Sequence, residues 1–205
     1  MIKYLIEKCR TILYTYYIAN YSELIILVSV KIQIGGKNMS KTNICLFGLA
    51  KQFTDEVGKE LSQKLDIYYA NFEKIFEFEM IDVDRLEELC GKDYLEKKES
   101  SLLKRLCTYE NTLINISYHL LNSEDNHNYL QKHCLLIYLK MDISRYKEEI
   151  KNDNISKGNM ALNIDLFKDR DQLCEQYADI VVATKNKKVS DVVDAIIVEM
   201  LKYYE

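Results

Sequence analysis

From Thr42 onward, short unbroken apolar runs alternate with longer stretches whose apolar residues recur every three or four positions. The runs predict strands at 44–47 (ICLF), 66–70 (DIYYA), 112–116 (TLINI), 134–139 (CLLIYL) and 179–184 (DIVVAT). The first run turns at Gly48 into a helix whose face carries Val57, Leu61 and Leu65. Further helices are predicted at 82–90 and 94–107, parted by Gly91, the second bearing Leu95, Leu102, Leu103 and Leu106. A polar helix follows at 122–133 with Ser123 as its N-cap, then a charged one at 142–151 and another at 165–177. Residues 185–188 form a turn, and the chain ends on an amphipathic helix with Val189, Val192, Val193, Ile196, Ile197, Met200 and Leu201 on one face. The acidic-aromatic NFEKIFEFE after the second strand and the polar NDNISKGNM after residue 151 are assigned no element. Alternating strands and helices of these lengths imply an α/β fold, a parallel five-stranded sheet with helices on both faces. The run CLLIYL suits a central strand buried on both sides.

Residues 1–38 do not continue this pattern. Their longest charge-free apolar run, 24–30, is far shorter than the roughly 20 residues of a membrane span, and no small-residue cleavage site follows it. Two readings stand. One is a helix at 3–18 and a strand at 24–34 added to the sheet edge. The other treats 1–38 as an extension outside the native protein, with the start at Met39; this is the expectation, with 39–205 as the α/β domain.

A chain of 205 residues with 48% hydrophobic and 29% charged positions suits one globular domain. The net charge of -4 gives no general attraction to nucleic acid or acidic lipid, so neither is expected as a partner. Cys9, Cys45, Cys90, Cys107, Cys134 and Cys174 are widely spaced, with no C-x-x-C pair, and four lie in or beside apolar runs. They read as buried reduced thiols in a cytoplasmic protein, and no metal site is expected.

A strand, a glycine and a helix N-terminus is also the framework on which many enzymes hold phosphate. A phosphate-binding loop of the form G-x-x-x-x-G-K-[ST] needs bare backbone, a lysine and a magnesium-binding hydroxyl. Counted from Gly48, those places hold Phe53, Thr54 and Asp55. Asp55 and Glu56 read as first-turn carboxylates that stabilise the helix against its dipole and repel a triphosphate. Gly48, Lys51 and Thr54 remain as a remnant of the loop. Lys51 is a candidate displaced phosphate lysine, and Lys59 falls out of phase.

The stretch TNICLFGLAKQFTDEVGKELSQKLD resembles the opening of a shikimate kinase, a P-loop kinase, through Gly58, Leu61 and Leu65. RDQLCEQYADIVVAT resembles that family's segment before the last strand, so the resemblance spans about 39–201. It implies a P-loop kinase-like sheet and, in an active member, ATP and magnesium. The family's D-x-D corresponds to Asn71, Phe72 and Glu73. Asn71 is a weak magnesium ligand, and Glu73 reads either as a solvated charge or as an acceptor for a substrate hydroxyl. A substrate arginine corresponds to Leu95. A glycine triplet corresponds to Ser117, Tyr118 and His119, with His119 read as structural in preference to a general base. In the lid, Asn159 and Met160 replace an arginine and a proline, leaving Lys151 and Lys157 as its cations. Arg170 aligns with the arginine that pairs with the substrate carboxylate; an ion pair with the flanking Asp169 or Asp171 is the competing account.

The resemblance thus implies a shikimate-kinase-like protein that has lost phosphoryl transfer. It would be kept to bind a small carboxylate or a partner enzyme of aromatic amino acid synthesis. An active divergent shikimate kinase using ATP and magnesium, and an interaction module without ligand, are the alternatives.

Overall fold

A computed structural model describes residues 41–80, 82–152 and 164–204. Both readings of residues 1–38, the stretch NDNISKGNM beyond its first residue, Lys157, Asn159, Met160 and the side chain of Lys151 lie outside what it describes.

Five parallel strands form one sheet in the order β2-β3-β1-β4-β5. They are β1 (Asn43–Gly48), β2 (Tyr68–Asn71), β3 (Thr112–Ser117), β4 (Cys134–Lys140) and β5 (Ile180–Ala183). The helices are α1 (Lys51–Leu65), α2 (Phe72–Met80), α3 (Val83–Cys90), α4 (Lys92–Leu106), α5 (Glu124–His133), α6 (Ile143–Asn152), α7 (Phe167–Tyr177) and α8 (Val189–Tyr203). They cover both faces of the sheet, and a 3-10 turn, Tyr118–Asn122, joins β3 to α5.

All six residues of β1 are buried, as are the first six of β4, since both strands are paired on either side and covered above and below. Tyr138 of β4 stacks on Phe47 of β1 with ring centroids 5.6 Å apart. Val57, Leu61 and Leu65 of α1 and Val192, Val193, Ile196, Ile197 and Met200 of α8 face the core, as their spacing predicts. Lys64 and Asp194 join these two helices at 2.8 Å.

Three local expectations are corrected. Asp66 does not begin β2: at φ 53° it caps α1, and its N–H reaches the Gln63 and Ser62 carbonyls. NFEKIFEFE forms β2's last residue and α2, because Phe72 and Phe76 recur at i, i+4 and stack inside at 6.0 Å. Asp55 and Glu56 are not first-turn residues: α1 starts at Lys51, and its first turn holds no acidic side chain. Gly91 (φ 80°) does part α3 from α4, and Ser123 does cap α5, accepting from the Asn126 N–H.

Candidate functional site

In an open parallel sheet, ligands bind beyond the carboxyl ends of the strands, where successive connections diverge. Here the chain leaves β1 for β2 on one side and crosses to β4 on the other, so that point lies between β1 and β3. A cleft occupies it, lined by Gly48, Lys51, Thr54, Asn71, Glu73, Asn115, Ile116 and Ser117. Its open space is small, about 30 Å³.

Four of the five residues expected to form a site are therefore brought together. Gly48 ends β1 opposite Ser117 of β3 and Leu139 of β4. A side chain on it would lie 2.4 Å from the Thr54 hydroxyl. That hydroxyl is buried and turned back on its own helix, donating to the Ala50 carbonyl at 2.8 Å. Lys51 and Glu73 face each other across the cleft as an ion pair of 2.9 Å. Glu73 is thus neither a lone solvated charge nor an uncommitted acceptor.

Asp55 is the centre of the polar network beside the cleft. Its Oδ1 accepts from the Tyr69 hydroxyl at 2.7 Å and from the Asn71 side-chain amide at 2.6 Å. Its Oδ2 meets the Lys59 ammonium at 2.6 Å and the Lys74 ammonium at 3.2 Å. Asn115 of β3 donates to the Tyr69 oxygen at 3.1 Å, and the Lys74 N–H donates to Asn71 Oδ1 at 3.0 Å. Burial alone would raise the Asp55 pKa; the hydrogen bonds from Lys59, Tyr69, Asn71 and Lys74 outweigh it and hold the carboxyl far below the usual range. Burial, and then the carboxylate beside it, push the Tyr69 phenol up.

Arg170, the fifth candidate, sits near the start of α7 with its guanidinium 5.3 Å from the centre of the Tyr118 ring. Tyr118 follows Ser117 of the cleft wall, but neither Tyr118 nor Arg170 is among the residues that line the cleft. Asp171 turns to other partners, accepting from the Tyr138 hydroxyl at 2.7 Å and pairing with Lys140 at 3.5 Å. His119 is held by Glu99 of α4 at 3.2 Å, on the exposed side of the 3-10 turn, which fits its structural reading. Leu95 is buried in the core side of α4.

Four residues outside the sequence-based set matter here. Asn115 was visible in principle as the polar residue within TLINI. Tyr69 and Lys74 have no distinguishing spacing. Arg145 of α6 is the fourth: its guanidinium lies 4.0 Å from the centre of the Phe53 ring. It also donates to the carbonyls of Thr184 and, at 2.8 Å, of Lys187. Phe53 itself is buried, with Arg145 over its ring.

Cys45, Cys107, Cys134 and Cys174 are buried unpaired thiols, and Cys90 is exposed. Among the described residues no group of three or more His, Cys, Asp or Glu is arranged to hold a metal ion. Among the same residues no helix is long and apolar enough to cross a membrane.

The family model for shikimate kinase matches residues 55–201. The shikimate kinase of Dehalococcoides mccartyi is 26% identical over 171 residues, covering 80% of this chain and 96% of that protein. That of Haemophilus influenzae is 23% identical over 164 residues, covering 77% and 91%. Among solved structures, the shikimate kinase from Acinetobacter baumannii in complex with shikimate superposes with a TM-score of 0.69 at 18% identity, covering 79% of this chain and 94% of that one. The enzyme from Bacteroides thetaiotaomicron gives 0.68 at 16% identity, covering 78% and 98%. At these identities the solved structures speak to fold.

Proposed function

The chain belongs to the shikimate kinase family, and from that premise we propose that it binds a small carboxylate at the β1–β3 cleft without transferring phosphate to it. The observation that carries this reading is the state of Asp55. Phosphoryl transfer rests on positioning and on electrostatic stabilisation by a phosphate loop and its metal. A magnesium ion prefers carboxylate oxygens in open octahedral geometry. Near this cleft both oxygens of Asp55 are taken by four donors, two of them ammonium groups. Glu73 is paired with Lys51, and the Thr54 hydroxyl points into α1. A magnesium ion would have to displace cations that the protein carries permanently, so the residues present do not fit magnesium-ATP. Arg170, packed on the ring of Tyr118 next to the cleft wall, carries the planar fork suited to a carboxylate, and Lys51 gives a second cation once Glu73 yields it. A shikimate-type carboxylate, or an enzyme partner that acts on one in aromatic amino acid synthesis in the cytoplasm, is the expected associate.

The second reading is an active, divergent shikimate kinase using ATP and magnesium. It is favoured by the near-complete coverage of curated shikimate kinases, 96% and 91% of the two named above. Thermal unfolding with magnesium-ATP, with shikimate and with both separates the two. A ligand at 100 times its dissociation constant adds about 2.7 kcal/mol to native stability. A shift with shikimate alone, lost in Arg170→Ala, is the expected result. A shift with magnesium-ATP, together with ADP release in the presence of shikimate, establishes the kinase instead.

A further inference from the structure

The end of the sheet opposite the cleft carries chemistry that the site does not use. Cys107 ends α4 and Cys134 opens β4, and their sulfurs lie 3.7 Å apart in the interior. Neither is in a disulfide. A disulfide is about 2.0 Å long, so closing the gap asks each sulfur to move by less than about 1 Å. The two positions are held together by the sheet itself. Asn43 is the register partner of Cys134, and its side-chain amide donates to the Cys107 carbonyl at 3.2 Å. Cys45, also buried, sits two residues further along β1.

We propose that Cys107 and Cys134 are a dithiol pair that a peroxide-class oxidant converts to an intramolecular disulfide. Cys107, a residue 6% exposed against 0% for Cys134, is assigned the first oxidation. The Cys107 thiol gives up its proton, its sulfur attacks one peroxide oxygen and the O–O bond breaks; the departing hydroxide takes up that proton, so a sulfenic acid and water result. The Cys134 sulfur then attacks the Cys107 sulfur, the S–O bond breaks, and a second water leaves with the Cys134 proton. In sum two thiols and one hydrogen peroxide give one disulfide and two waters; the sulfurs lose two electrons and the peroxide gains them. Its hydrogen bond with Cys107, and then burial, hold the proton on Cys134, which slows its attack on the sulfenic acid. Burial also makes the reaction slow. The cross-link closes the segment that contains β3, and with it Asn115, Ser117 and Tyr118, so the oxidised protein is restrained around one wall of the cleft.

The test uses the full chain carrying Cys9→Ser and Cys90→Ser, treated with hydrogen peroxide, quenched with N-ethylmaleimide and digested without reduction. The expected product is a single linked peptide pair joining Cys107 to Cys134, lighter by two hydrogens, with Cys45 and Cys174 still alkylated after denaturation. Its unfolding midpoint rises and returns to the starting value with dithiothreitol. In the same background, Cys134→Ser yields a Cys107 sulfenic acid trapped by dimedone and no cross-link. A link from Cys107 to Cys45 overturns the proposal. So does a Cys134 that stays alkylatable, or a cross-link that appears only once the far-ultraviolet circular dichroism of the native fold is lost.

Discussion

Asp55 gathers four donors on two oxygens, and low pH acts on that arrangement directly. Its folded pKa lies below the unfolded value of about 3.9, so its contribution is complete above that pH and fades as pH falls through the folded pKa. Asp55→Asn keeps an acceptor and loses the charge. The expected cost at neutral pH is about 1.5–3 kcal/mol, the worth of charge-assisted hydrogen bonds, with a flatter loss of stability below about pH 4. Urea denaturation at several pH values measures both. Arg145 is the other residue whose role lies in its partners: one guanidinium covers Phe53 and binds two carbonyls of the β5–α8 turn. Arg145→Ala is expected to cost about 1.5–3 kcal/mol, from a lost cation–π contact and two carbonyls left without their charged donor. Arg145→Lys recovers only part, because an ammonium cannot cover the ring and span both oxygens as a planar fork does. A Lys variant with the urea midpoint of the unsubstituted protein would remove the fork from this account.

Among the elements, α1 is the one on which the cleft depends, and Gly58 sets how closely it lies on the sheet. A side chain there would meet the Tyr69 ring at 2.8 Å and a Leu46 methyl at 3.3 Å. Tyr69 cannot swing aside, because its hydroxyl is fixed between Asp55 and Asn115. Alanine gains about 1 kcal/mol of helix propensity over glycine, while overpacking a tight contact costs about 1–3 kcal/mol. Gly58→Ala should therefore destabilise by about 1 kcal/mol, and it should also weaken any ligand that uses Asn71 or Asn115. An unchanged or raised denaturation midpoint would show that the ring gives way. The α2 helix illustrates how an element escapes a reading by pattern. Its charges are interleaved with phenylalanines, and Phe78 is 85% exposed while Phe72 and Phe76 are inside. Three similar residues in one short stretch thus have different fates, and the apolar face cannot be drawn without knowing which of them meets the sheet.

At the scale of the whole molecule, β4 is the strand on which the fold closes, paired with β1 and β5 and buried over its first six residues. Leu136→Ala leaves a cavity at a fully buried position and is expected to cost about 2–5 kcal/mol in one cooperative unfolding transition. Loss of only part of the far-ultraviolet signal at the first midpoint would show that β4 does not bind the sheet into one unit. Every strand, every described helix but α2, the parallel sheet and the central place of CLLIYL were legible in the chain, because hydrophobic period and burial are local consequences of residue order; the family was legible through the segments that resemble it. So was the absence of a lysine and a hydroxyl in phase with Gly48. The roles of the charges were not legible. Asp55 reads as a first-turn acid until the start of α1 is known, and its partners Tyr69, Asn71 and Lys74 arrive from another strand and helix. Lys51 and Glu73 are 22 positions apart yet paired at 2.9 Å. Arg145 reaches Phe53 across the top of the sheet, and Cys107 meets Cys134 below it. Residue order governs which side chains seek the interior; which donor meets which acceptor follows from strand order, and strand order is a property of the folded chain.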